Sequence, residues 1–301
     1  MPNLRKTTRV VLFFFSGTGN TWWATRALAE ALTAEGLQVQ IENIETISPE
    51  EAATLAGGAD LLGIGYPVYG SDLPEPMKGF VARLPRADGR PALVFCTQYL
   101  WSGDGARVGA ALLARRGYRI RWSAHFRMPS NLTVNSRVPG MSTSDPQTIG
   151  GFRKRAAANI VRWAGAVARG KPSLTGMNLL SRFAGSWQRI PYRRGYPTMQ
   201  DVIGVDGDRC TRCGRCVALC PVDNLQMKPD EVQTAGHCML CVRCYNFCPE
   251  AAMTYRGRPH NHRRENLYPG PVDGFCPERD LLGREESPWC TTVTGSSGGS
   301  A

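Results

Sequence analysis

A chain of 301 residues that is 42% hydrophobic and 20% charged carries enough apolar side chains for a core in each of two compact domains, which excludes a disordered protein. Its formal charge of +11 at pH 7 is carried by arginines without a recognisable nucleic-acid module, so no nucleic-acid partner is expected. No window approaches the roughly 20 apolar residues of a membrane-spanning helix, and the apolar run 10–15 ends in Ser-Gly-Thr-Gly rather than a cleavage site, so a cytoplasmic, at most peripheral protein is expected.

Taken in chain order, the apolar runs 9–15, 59–65 and 91–97 are bounded by Gly, Pro or Ser and read as central parallel strands buried on both faces. Residues 37–43 and 118–126 alternate more and read as edge strands. Helical periodicity fills 21–35, 76–83 and 103–116, and a further helix is expected over 146–169. Strand–helix alternation predicts an α/β, doubly wound parallel sheet over residues 1–170, with its ligand at the carboxyl ends of the strands. Gly170, Pro172, Gly176, Pro191 and Pro197 break up residues 171–205, which predicts a connector with one short helix near 178–188. A small α+β cysteine-rich module over 206–256 follows, then a C-terminal extension over 257–301 that ends in a low-complexity Gly/Ser tail.

Directly after the first strand, Ser16-Gly17-Thr18-Gly19-Asn20-Thr21 opens a helix. Hydroxyls, glycines and a helix N-terminus form a nest of donors suited to a phosphate dianion without lysine. A nucleotide-triphosphate loop requires Gly-Lys-Ser/Thr, which is absent, and a dinucleotide fingerprint requires a third glycine where Trp22 stands. FMN remains. Two further loops fall at the same sheet edge: Pro67, Val68, Tyr69 and Gly70 after the third strand, and Thr97, Gln98, Tyr99, Trp101 and Gly103 after the fourth. Each offers an aromatic plane and backbone groups to an isoalloxazine ring.

Eight of the eleven cysteines crowd between Cys210 and Cys248, which points to metal ligation in a reducing compartment rather than a disulfide framework. Cys210, Cys213, Cys216 and Cys220, then Cys238, Cys241, Cys244 and Cys248, twice repeat the C-x2-C-x2-C-x3-C-P run of two-cluster bacterial ferredoxins. In that pattern the fourth cysteine crosses over, so one 4Fe–4S cluster takes Cys210, Cys213, Cys216 and Cys248 and the other takes Cys238, Cys241, Cys244 and Cys220. Zinc is the competing metal, although its sites need only paired cysteines. Cys96 reads as a buried thiol, and Cys276 and Cys290 as ordinary tail thiols. His237 either tunes a cluster sulfur or lies in an exposed loop; His125, His260 and His262 show no partner in the sequence.

With residues 66–70, Met128-Pro129-Ser130-Asn131 and the cysteine runs, the phosphate loop resembles that of the electron-transfer flavodoxin–ferredoxin fusion family, and the resemblance extends over residues 9–262. It implies a flavodoxin-like FMN domain in front of a ferredoxin domain. The bulky pair Trp22-Trp23 departs from the usual pattern just behind the loop. The expected function is an electron-transfer flavoprotein relaying electrons between FMN, two 4Fe–4S clusters and external redox partner proteins. Its rivals are an FMN-dependent reductase of a small acceptor such as a quinone, with a pocket over Tyr69, Trp101 and Asn131, and an electron-delivery subunit of a larger reductase. Residues 151–200 hold ten Lys or Arg and no acid, and are expected to meet an acidic partner or, peripherally, an anionic membrane through Arg182, Arg189, Arg193 and Arg194. Met177, Leu179, Leu180, Phe183 and Trp187 are expected to pack between the domains.

Overall fold

Successive side chains point to opposite faces of a strand, and in β1 (Arg9–Phe14) both sets are apolar. Val10 and Leu12 enter one core cluster, Val11 and Phe13 the other. That double burial puts β1 in the middle of a sheet with helices on both sides. The computed structural model, which describes residues 4, 7–132, 144–260 and 267–290, has this architecture. After β1 come α1 (Asn20–Ala34), β2 (Gln38–Asn43), α2 (Pro49–Gly58), β3 (Leu61–Pro67), α3 (Glu75–Arg83), β4 (Pro91–Gln98), α4 (Gly105–Arg115), β5 (Arg119–Arg127), α5 (Pro146–Ala168) and β6 (Ser173–Leu174). The six strands pair in the order β2-β1-β3-β4-β5-β6, and every pairing is parallel. This is the doubly wound flavodoxin-like order, whose topological switch point lies between β1 and β3.

Helices α1 and α5 cover one face through Leu28, Leu32, Ile160 and Trp163. Helices α2, α3 and α4 cover the other through Ala56, Phe80 and Leu113. No periodic pattern announces α2, whose buried residues are only Ala52 and Ala56. It is started instead by a capping box, in which Ser48 accepts from the Glu51 N–H and the Glu51 carboxylate accepts from the Ser48 N–H.

The remaining elements are α6 (Leu179–Met199), β7 (Ile203–Val205), α7 (Arg215–Ala218), β8 (Leu225–Met227), β9 (Val232–Thr234), α8 (Arg243–Phe247), β10 (Met253–Tyr255) and α9 (Pro277–Asp280). Antiparallel pairs β10-β7 and β8-β9 frame the cysteine loops. Where the proline spacing predicts a short helix in the connector, α6 runs 21 residues through Pro191 and Pro197. Both prolines are exposed, so water meets the carbonyls that lose their intrahelical partner. Leu179, Leu180, Phe183 and Trp187 are exposed rather than packed between the domains, and only Met177 of that group joins the α/β core.

The C-terminal extension also departs from expectation. Residues 267–281 fold back over the start of α1: Phe275 packs on Trp22 and Phe247, with ring centroids 5.4 and 5.9 Å apart, and the Asn43 amide donates to the Leu281 carbonyl at 2.5 Å. This strap gives bulky Trp22 its place. Cys276 and Cys290, read from the sequence as ordinary thiols, are joined in a disulfide. His262 and the Gly/Ser tail lie outside the described residues. Among the described residues no helix is long and apolar enough to cross a membrane.

Candidate functional site

At the switch point a cleft opens between the ends of β1, β3 and β4. It is lined by Ser16, Gly17, Thr18, Asn20 and Thr21 from the phosphate loop, Pro67, Val68 and Tyr69 at the end of β3, Thr97, Gln98 and Tyr99 at the end of β4, and residues 128–132 after β5. None of these residues is charged. A phosphate here would be held by N–H and O–H donors and the α1 N-terminus alone. The loop is already ordered by its own bonds: the Gly19 N–H donates to Ser16 Oγ at 3.1 Å, Thr21 and Thr97 hydroxyls share a bond of 2.8 Å, and the Asn131 amide donates to Thr18 Oγ1 at 2.8 Å. Asn20 donates to the Pro129 carbonyl at 2.9 Å and accepts from the Tyr268 hydroxyl of the strap at 2.6 Å. The Tyr69 hydroxyl is buried with no hydrogen-bond partner among the described residues, which fits a ligand atom arriving in the cleft.

Four residues of the sequence reading lie off this lining. Gly19 caps α1 with φ 98°, and a Cβ there would meet Pro271 and Phe275 of the strap at 2.6 Å, so a side chain at this position displaces the strap as well as the loop. Gly70 is covered by the Tyr192 ring and Gly103 by the backbone of Gly185, both from α6. Trp101 projects into solvent.

The cysteine module repeats its backbone as well as its sequence. Positive φ recurs at Arg212 and Leu240, Gly214 and Val242, and Asp223 and Ala251, three pairs at the same 28-residue offset as Cys210 and Cys238. Five of these six are not glycine, and each left-handed residue of that kind costs about 1–2 kcal/mol. The strain turns N–H groups toward sulfur: Asn224 N–H donates to Cys220 Sγ at 3.2 Å and Ala252 N–H to Cys248 Sγ at 3.3 Å, again 28 residues apart.

Cys210, Cys213, Cys216 and Cys248 line one hollow together with Val205, Val232 and Met253. Burial pushes the Cys216 thiol up to about 12, and Cys248, Cys210 and Cys213 add to the shift. Cys241 is also pushed up to about 12, first by burial and then, against the pull of Arg243, by Cys238 and Cys220. Burial, with Cys241, Cys238, Cys220 and Cys216, raises Cys244 in the same way. The buried thiols thus crowd against one another, and they resist ionisation unless a cation compensates them. Among the described residues no three of these sulfurs lie within 4.8 Å of one another. His237 makes no bond to sulfur; its ring meets the Ala235 and Val222 carbonyls at 3.1 and 2.7 Å.

Cleft and module meet directly. Cys241 and Met239 are buried within the α/β core cluster. A Cβ on Gly17 would lie 3.2 Å from the Cys241 carbonyl and 2.7 Å from the Tyr69 hydroxyl, so the bare glycine lets the cysteine loop approach without displacing either neighbour. Arg243, fully buried between Cys241 and Cys244, donates to the carbonyls of Ser16 at 2.6 Å, Gly17 at 2.8 Å and Leu219 at 3.0 Å, and forks onto Glu45 at 2.8 and 3.0 Å. In a trans peptide the N–H points opposite to the C=O. Drawing the Ser16 and Gly17 carbonyls toward the module therefore turns the Gly17 and Thr18 N–H groups away from it. Burial works against the charge of Arg243, but Glu45 outweighs it and raises the pKa. Sequence reasoning missed Arg243, Glu45, Tyr268 and Phe275. The one local signal was an arginine inside the second cysteine run.

Residues 202–249 match the 4Fe-4S dicluster domain family. A ferredoxin of Methanothermococcus thermolithotrophicus is 31% identical over 58 residues, covering 18% of this chain and 97% of that protein. The putative diflavin flavoprotein A 2 of Thermosynechococcus vestitus is 38% identical over 119 residues, 38% of this chain, but this chain spans only 20% of that protein's length. A flavodoxin of Pseudomonas aeruginosa, solved as a point mutant, aligns in structure over 54% of this chain and 98% of its own, with 14% identity and a TM-score of 0.40.

Proposed function

We propose that this chain, which belongs to the ferredoxin family through its C-terminal module and carries a flavodoxin-like domain ahead of it, relays electrons between one FMN in the switch-point cleft and two 4Fe–4S clusters. When bound, the flavin exchanges one or two electrons and each cluster passes one, so the pair interconverts the two kinds of transfer. The residues that would hold the flavin are the phosphate loop with Pro67, Val68, Tyr69, Thr97, Gln98 and Tyr99. The thiols would ligate in the crossed sets, Cys210, Cys213, Cys216 and Cys248 for one cluster and Cys238, Cys241, Cys244 and Cys220 for the other.

The observation that carries this reading is the contact of Gly17 with Cys241, sealed by Arg243. One residue of the candidate phosphate loop touches one candidate cluster ligand through backbone, so the two cofactors would stand in a fixed relation without a docking step. Arg243 works on both sides of that contact, orienting phosphate-loop amides and countering the negative charge of the neighbouring thiolates. The external donor and acceptor are proteins in this reading. Anaerobic reconstitution followed by cofactor analysis tests it: one FMN and eight irons with equivalent acid-labile sulfide are expected, while two zinc ions without sulfide would overturn the ferredoxin half.

A further inference from the structure

Among the described residues, helix α6 is held from one side only. Arg189 forks onto Asp104 at 2.9 and 3.1 Å, Arg193 onto Asp72 at 2.7 and 3.1 Å, and Gln188 accepts from Ser71 at 2.6 Å. Gly185 is buried against Asp104. Two of the four arginines expected to face a partner, Arg189 and Arg193, are thus used as clamps to the α/β domain, and their acids are far away in the sequence.

The opposite side of the helix has no cover among the described residues. Leu179, Leu180, Phe183, Trp187 and Ile190 fall on one helical face, and each is between 50% and 80% exposed. Arg194 is exposed within this row and Arg182 is exposed at its edge toward the Arg189 clamp, and neither has an ion-pair partner among the described residues. Trp101, also exposed, stands two residues before Gly103, which packs against Gly185 of the helix. The end of β4 that leads into this loop carries the cleft-lining Thr97 and Gln98, and Tyr99 follows it. The apolar row is therefore joined to one wall of the cleft.

We propose that α6 is an interfacial anchor that lies along an anionic lipid bilayer, sinking Phe183, Trp187 and their apolar neighbours into the headgroup boundary while Arg182 and Arg194 meet lipid phosphates. Charge complementarity selects this occupant, because α6 itself carries no acid and leaves Arg182 and Arg194 without an ion-pair partner among the described residues. A second copy of the chain would set the same arginines face to face across a two-fold axis. The row also stands out as a ridge of side chains of unequal length, which a fluid boundary accepts without a matching groove. The anchor is a property of the helix surface and does not depend on the cofactor reading.

Cosedimentation of the full-length, reconstituted protein with vesicles is the test. Vesicles containing phosphatidylglycerol should bind at least about tenfold more tightly than pure phosphatidylcholine, and the advantage should shrink as salt shortens the Debye length. Replacing Phe183→Ala with Trp187→Ala should lower the partition coefficient by more than about tenfold, and Arg182→Glu with Arg194→Glu by about tenfold or more. Both pairs are exposed, so flavin and cluster absorbance should not change. Equal binding to both lipids, no binding to either, or undiminished binding by both variants would overturn the proposal. So would a concentration-dependent dimer in sedimentation velocity that the Phe183/Trp187 variant abolishes, which would assign the face to a second copy.

Discussion

The α/β domain stacks large apolar residues on both sides of its sheet, Phe95 and Trp122 on one and Phe13, Ile64 and Tyr66 on the other, whereas the cysteine module has strands of three residues and one small cluster. Part of that cluster is half-buried cysteine: Cys210, Cys216, Cys244 and Cys248 pack where branched aliphatics would stand in the larger domain. The first region can fold on its own burial. The second carries six strained non-glycine positions and ionisable thiols in its centre, so it leans on inorganic clusters and on the domain it contacts. The comparison teaches that the Arg243 bridge and the cofactors stabilise the same thing, the relation between loop and cluster.

Stripping the iron breaks the comparison most severely. Under anaerobic chelation the module should open and be cut by protease within residues 206–256 roughly a hundredfold faster, while a fragment containing β1 to α5 survives. Equal survival of both regions would show that the module has a sufficient core. Next in size is Arg243→Ala, which leaves the half-buried Glu45 carboxylate without its partner and the Ser16 and Gly17 carbonyls without this donor. A loss of about 3–5 kcal/mol is expected in denaturant unfolding followed by cluster absorbance, with weaker FMN retention. Unchanged FMN affinity would mean that the guanidinium does not orient the loop.

The smallest effect belongs to the α/β domain. His125 is lowered to about 4 by burial, against a smaller opposing effect of Asp104, and its Nε2 accepts the Ala106 N–H at 3.2 Å at the start of α4. A depressed folded value means that the unfolded chain takes up the proton first, so this contribution is present above about 6.5 and is lost as pH falls toward 4. Between pH 7.5 and 5 it should remove about 2 kcal/mol from unfolding of the α/β domain. His125→Gln should abolish that part of the pH dependence; an identical profile in the variant would place the titration elsewhere.

The phosphate loop and the eight cysteines were legible because each chemistry is written within a dozen residues. Helix α2 was hidden by its alanines, which give little periodic contrast, and only the Ser48–Glu51 box marks its start. The strap was hidden because its anchors are distant: Asn43 and Leu281 are 238 residues apart, and Phe275 acquires meaning only beside Trp22. In α6 the prolines suggested a break, but Asp72 and Asp104 hold the helix along its length from another part of the chain. The same distance hid Arg243, whose acceptors at residues 16, 17 and 45 no local pattern connects with it.

The central claim is that flavin and clusters exchange electrons within one chain across the Gly17–Cys241 contact. It is tested most directly by reducing the flavin with a light pulse and following cluster reduction over a range of protein concentrations. The account predicts a first-order rate constant independent of concentration in the intact protein and lower in Arg243→Ala. A rate that rises in proportion to protein concentration would contradict it, since the electrons would then be passing between molecules.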